Sequence, residues 1–317
     1  MKTLLASSNL AVAAVVVIFA GSAVAQYTFP NTVTRAGAQW YVSDNINGVV
    51  PTQGNPGPGG FGFSDAEFTD PAGGLDAYDG GFVMRINGVL FAPPSGGATM
   101  NGNVLNSGTA NYAGLSSQAE FWFDQSRPIV RSLYSFSNSS QAPITATFRW
   151  EVNLGSDANT TVRGTSSGDA VSDLTDRWLV TTDNNSGDLV NTLVRYGRNA
   201  PHAPDSAPYM PGDLAHDLLA DQYQVTIAPG QTARLMMYGW LGTITNGLTD
   251  GYTTALANAA LFNDYDAMTQ AGLFAGLSNY GQIINWAVPE PSVTALTLAG
   301  LAALLLVRTR RQPRSPA

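Results

Sequence analysis

The 317-residue chain contains no cysteine, two histidines and a single lysine, Lys2, so every other basic residue is an arginine. Without cysteine it can hold no disulfide, thiolate-bound metal or cysteine nucleophile. Charge is sparse as well: 12% of residues are Asp, Glu, Lys or Arg, with 23 acidic against 15 basic. That balance disfavours nucleic acid and anionic lipid, whose own charge is negative. Long uncharged apolar runs occur only near the two ends. Between them Gly, Ser, Thr, Asn and aromatic residues dominate, a composition of turns and half-buried strands rather than long helices.

Both ends read as targeting signals. Lys2 precedes the apolar stretch Leu10 to Ala20, and Ala23-Val24-Ala25 forms an A-x-A site that predicts cleavage before Gln26. The h-region is short and the cleavage site follows directly, which favours a signal peptide, processed by signal peptidase, over an anchor. At the other end stand Pro289-Glu290-Pro291, an uncharged run from Ser292 to Val307, and a basic tail with Arg308, Arg310, Arg311 and Arg314. At about 1.5 Å per residue that run spans about 24 Å as a helix, somewhat short of a bilayer core of roughly 30 Å. Snorkelling flanks and local thinning accommodate the mismatch. The arginines beyond it favour a cytoplasmic C-terminus, leaving 26–288 outside. The two prolines keep the preceding segment extended and open to a protease.

Motif, apolar run and basic cluster in this order resemble the PEP-CTERM sorting signal of exported bacterial proteins. The resemblance covers 288–314. It implies that Pro289, Glu290 and Pro291 are substrate residues for exosortase, a membrane-embedded transpeptidase-like enzyme, with the inner membrane as an intermediate station. It also implies a destination at the cell surface or in an exopolysaccharide-rich matrix or biofilm. The alternative is a permanently retained single-span anchor. A second resemblance, to an uncharacterised β-rich group of such proteins, rests on Leu154-Gly155-Ser156-Asp157, Thr165-Ser166-Ser167-Gly168-Asp169 and Asp176-Arg177-Trp178, and on the Ala/Leu-rich segment ending at Asn285-Trp286. It covers 148–286 and implies no activity.

The domains expected are therefore a signal peptide at 1–25, an extracellular β-rich domain at 26–288 and a sorting signal at 289–314. Removing Lys2, the four C-terminal arginines and Glu290 leaves 22 acidic residues against ten arginines, a charge of −12 on the mature domain. About 263 residues suffice for one large all-β domain or two small ones.

Within that region 42–80 is Gly/Pro/Asp-rich and reads as loop. Phe82 to Ile86 and Val89 to Phe91 flank Asn87-Gly88, a strong hairpin signal. From Ile144 to Val152 apolar Ile144, Ala146, Phe148, Trp150 and Val152 alternate with polar Thr145, Thr147, Arg149 and Glu151, the pattern of a half-buried strand. Further strands are predicted at 121–123, 129–136, 178–181, 189–196, 223–227 and 234–241, with Ala228-Pro229-Gly230 turning between the last two. The expected fold is all-β: an antiparallel β-sandwich or jelly-roll-like domain. One or two helices are expected over 253–277, packed at the sandwich edge, and a short helix over 213–220.

No convincing catalytic constellation emerges, and the chain is expected not to be an enzyme. Gly164-Thr165-Ser166-Ser167-Gly168 fits the G-x-S-x-G pattern, but it lies in a polar stretch with no helix signal after it, so a turn is favoured. His202 and His216 near Asp205, Asp213 and Asp217 lack a defined ligand spacing, and Asp213 reads as a helix cap. The pairs Glu120 with Asp124, and Glu151 with Asp157 or Asp173, contain the carboxylates that glycoside hydrolysis needs, but at unknown separation. No cofactor is expected beyond a candidate structural calcium ion, for which Asp76 and Asp79, and Asp183, Asn185 and Asp188, form two oxygen-rich loops. Solvated turns explain the same residues. Trp40, Tyr41 and Tyr78 are the candidate platform for stacking sugar rings. The functional expectation is a structural or adhesive protein of an exopolysaccharide matrix. The alternatives are a carbohydrate-binding module and, less favoured, a polysaccharide-cleaving enzyme.

Overall fold

The computed structural model describes residues 32–46, 60–69, 76–93, 97–184, 188–211 and 217–288. They form two antiparallel sheets stacked face to face. Sheet I runs β1 (Thr32–Arg35), β2 (Ala38–Ile46), β3 (Gly60–Phe68), β4 (Tyr78–Ile86), β10 (Ile144–Leu154), β15 (Leu218–Ile227) and β14 (Ser206–Tyr209), with the two-residue β5 (Val89–Leu90) beside β4. Sheet II runs β11 (Thr160–Thr165), β12 (Trp178–Asp183), β13 (Val190–Val194), β16 (Thr232–Gly242), β9 (Ile129–Ser137), β8 (Leu115–Phe123), β7 (Val104–Tyr112) and β6 (Thr99–Asn101).

The alternation along β10 does what its pattern predicts. Ala146, Phe148, Trp150 and Val152 enter the intersheet core, and Phe148 stacks on Phe136 of sheet II at a centroid distance of 3.9 Å. Asn87 and Gly88 both take positive φ, 49° and 82°, which closes the β4–β5 hairpin with the right-handed twist of its strands. The region read as loop contains a strand: β3 places Phe61 and Phe63 in the core, where Phe61 stacks on Phe121. Its glycines hid it. Gly62 is needed because a Cβ there would run into the Gly81 carbonyl of the neighbouring strand, and such close approach is what strand glycines provide.

The late helices form, but over a sheet face rather than at the edge. α1 (Leu248–Ala259) and α2 (Tyr265–Gln270) cover the outside of sheet II, burying Ala255, Ala259, Phe262, Met268 and Leu273 against Trp178, Val180, Val194 and Met236. Trp286 closes this second core by donating from Nε1 to the Met236 carbonyl. The short helix expected over 213–220 is not there in its described part, since Leu218, Leu219 and Ala220 begin β15. No helix among the described residues is long and apolar enough to cross a membrane. Ala23, Ala25 and Gln26, the motif Pro289-Glu290-Pro291, the run 292–307, and Arg308, Arg310, Arg311 and Arg314 lie outside the described residues.

Candidate functional site

The two aspartate loops singled out in the sequence meet at one end of the sandwich. Asp76 and Asp79 sit at the start of β4; Asp183 ends β12 and Asp188 precedes β13 on the opposite sheet. Two further chain segments join them. Asp157 follows β10 in a one-turn helix, at φ 49°, and Asp217 immediately precedes β15. Because β4, β10 and β15 are neighbours in sheet I, Asp79, Asp157 and Asp217 bring carboxylate oxygens within 4.8 Å of one another. Oxygens sharing one calcium ion, each about 2.3–2.6 Å from it, lie no more than about 5 Å apart.

The electrostatics of this end have one sign. Asp188 is pushed up to about 6, first by burial and then by Asp183, Asp76, Asp157 and Asp79. Asp65, on β3, is pushed up to about 7 by burial and by Asp76, although its Oδ1 accepts from the backbone N–H groups of Ala66, Ala77 and Tyr78. Asp79 is raised by burial and by Asp76, Asp157 and Asp217. Among the described residues no arginine forms an ion pair with Asp65, Asp76, Asp79, Asp157 or Asp188. Gly155 keeps the cluster tight, since a Cβ there would land on the Asp76 carboxylate.

Two uncharged oxygens lie buried on the strands of sheet II that lead to this end. Thr181 and Asp183 share the inward face of β12, and Asn191 is the cross-strand partner of Thr181. Asn191 donates from Nδ2 to the Ala77 carbonyl at 3.2 Å, which sets its side-chain amide beside the Asp76 loop. Its Oδ1 and the Thr181 Oγ1 are buried and accept nothing. Buried polar atoms are rarely left so, and both are hard oxygen donors suited to calcium. Asn185 lies outside the described residues. Asp157 and Asp217, read from the sequence as a catalytic carboxylate and as a partner of histidine, belong instead to this cluster. The signal for the first was the Gly155-Ser156-Asp157 turn.

Other candidates come apart. The aromatic platform does not form: Trp40 packs against Phe63 and Phe123, Tyr78 against Phe82, and both are core residues. They lie on strands of sheet I whose inward positions they occupy, leaving Tyr41 half-buried and hydrogen-bonded to Gln39 and Glu67. Gly164 to Gly168 ends β11 and turns, with the Gly168 N–H donating to the Thr165 carbonyl. Gly164 leaves room for Leu256 of α1. His202 pairs with Asp205 at 3.1 Å in an exposed loop, and His216 and Asp213 lie outside the described residues. The carboxylates proposed for hydrolysis are held by arginines: Glu151 by Arg85 and Arg149, Glu120 by Arg131, Asp124 by Arg127. Asp173 accepts from Thr175.

No family model matches the chain, and no curated protein matches it. Solved structures with some likeness include a protein named as a kojibiose phosphorylase from the human microbiome (11% identity, TM-score 0.42, 77% of this chain and 34% of that one). A polysaccharide lyase matches at 13% identity and TM-score 0.40, over 66% of this chain and 33% of the other. A galactose mutarotase related enzyme from Lactobacillus acidophilus matches at 8% and 0.37, over 68% and 98%. This chain thus spans about a third of the length of the first two. These neighbours correct the expectation that the chain is not an enzyme: they are named as carbohydrate-active enzymes, so the lack of a familiar motif does not exclude activity. At these TM-scores the likeness assigns no reaction, substrate or residue.

Proposed function

We propose that this is an exported surface or matrix protein whose sandwich holds a hard divalent cation, calcium by its ligand chemistry, at the aspartate end and works among polysaccharide. The observation that carries the cation is the meeting of Asp76, Asp79, Asp157, Asp183, Asp188 and Asp217 from both sheets beside two buried, unpartnered oxygens. Such a cation would neutralise the mutual repulsion that raises Asp79 and Asp188 and would join the ends of the two sheets. Asp79, Asp157 and Asp217 would supply carboxylates to it, with Asn191 and Thr181 as neutral oxygens.

Export and sorting rest on the signal peptide, the Pro289-Glu290-Pro291 motif, the apolar run and the basic tail. Signal peptidase and an exosortase-type enzyme are the processing partners this reading requires, and the signals flank the sandwich on either side. Mass spectrometry of the native protein is expected to find an N-terminus at Gln26 and a C-terminus between Pro289 and Pro291; peptides continuing through Arg311 would overturn the sorting. For the cation, calorimetric titration of the chelator-treated chain with calcium is expected to give saturable binding, lost in the Asp79→Asn/Asp157→Asn variant. A flat titration would overturn the site.

A further inference from the structure

On the outside of sheet II, where α1 leaves the sheet, a cleft of about 190 Å³ opens between β13, β16 and the first turns of the helix. Its wall is Trp240, half-exposed, on the outward face of β16; the cross-strand partner of Trp240 is Thr192, which lines the same cleft. Phe262 meets the indole edge-on at 80° and 6.3 Å, which fixes the ring from the side of the helical layer. The rim is Asn246, Asp250, Thr254 and Asn258. All four are polar and line the opening. Gly251 lets the helix sit against the Thr243 carbonyl, where a Cβ would not fit, and so gives the cleft a floor.

We propose that this cleft is a binding site for one neutral sugar ring, the end residue or an exposed branch of a glycan. A pyranose offers a C–H face to an aromatic plane and hydroxyls that both donate and accept at its rim. The cleft presents that combination: one indole, two carboxamides, hydroxyls and a single carboxylate. No cationic side chain among the described residues lines it, which disfavours uronates, sulfated sugars and phosphate. Its volume lies below the roughly 300–1,000 Å³ of pockets for drug-sized ligands, which selects one ring over an oligosaccharide chain. The inference deepens the polysaccharide part of the proposed function and rests on it, but it is independent of the cation, whose ligands come from the inward faces and strand ends.

The test uses the full-length chain with methyl glycosides of neutral hexoses, read by saturation-transfer NMR, alongside retention on immobilised neutral polysaccharide. At least one glycoside is expected to show transfer. Affinity should fall at least tenfold in Trp240→Ala and in Asp250→Ala, and stay within twofold in Val89→Ser, an exposed position on sheet I. Asp250 is exposed, so its variant keeps the test valid if loss of Trp240 disturbs packing against Phe262. Unchanged glycoside affinity in both cleft variants would overturn the site while polymer retention left the wider reading standing. Absence of transfer together with absence of retention would overturn both.

Discussion

On the sheet faces Glu120, Asp124, Glu151 and Asp221 each meet an arginine, whereas at the sandwich end Asp65, Asp76, Asp79, Asp157 and Asp188 meet none among the described residues. The most enclosed of the first group is Arg195–Asp221: Nε and Nη2 reach the two carboxylate oxygens at 2.8 and 2.5 Å, Nη1 donates to the Asp173 and Asp176 carbonyls, and both side chains are fully buried. In one region the fold balances its own charge by geometry. In the other it gathers like charge, with no arginine paired to these aspartates among the described residues. Ten arginines lie between residues 26 and 288, and those in ion pairs with carboxylates sit away from the aspartate end.

Breaking the balanced region should cost most. Arg195→Ala leaves Asp221 buried without its counter-charge and is expected to destabilise the chain by about 3–5 kcal/mol, measured by urea unfolding; a loss below 1 kcal/mol would mean that the pair adds little. Next comes the cation. Calcium at 100 times its dissociation constant should stabilise by about 2.7 kcal/mol, and the Asp79→Asn/Asp157→Asn variant should lose that gain in thermal melts. If calcium moves the wild type and this variant equally, the contrast between the two regions is wrong. A smaller effect follows from protons. Asp65 and Asp188 titrate near 7 and 6 in the folded chain, above the unfolded value of about 4. Between about pH 4 and pH 7 the folded state therefore binds more protons than the unfolded one, so stability of the metal-free chain should fall as pH rises through that window. Saturating calcium should flatten the slope. The least effect is expected at the partly exposed Glu120: Glu120→Gln should cost no more than about 1 kcal/mol, because Glu120 is open to solvent on its own side and the buried Arg131 keeps the Leu273 and Ala275 carbonyls as acceptors.

Much of the fold was legible because period-two alternation and turn chemistry are local. β10 and the Asn87-Gly88 hairpin could be read from nine residues and from two. β3 could not, since Gly60 and Gly62 carry no side chain to show the pattern that Phe61 and Phe63 complete. Trp40 and Tyr78 were misjudged for a related reason: glycine-rich neighbours suggested an exposed loop, while the partner strands that enclose them are distant in sequence. The aspartate end was legible in pieces. Oxygen-rich loops at 76–79 and 183–188 announce themselves, but only sheet order shows that they share a site with Asp157 and Asp217. The Trp240 cleft had no sequence signal, because half of it is a strand face and half a helix turn.

The order of strands in sheet I also dictates when the molecule can fold. Its central neighbours β4, β10 and β15 come from 78–86, 144–154 and 218–227, and the centre of sheet II waits for 232–242 to join 129–137 and 190–194. Neither sheet can close its middle until most of the chain is present, and contacts so distant in sequence form slowly. A chain emerging from its N-terminus can therefore pair the consecutive strands β1 to β4 and β6 to β9 early, but closes both sheets only when nearly all of it is present.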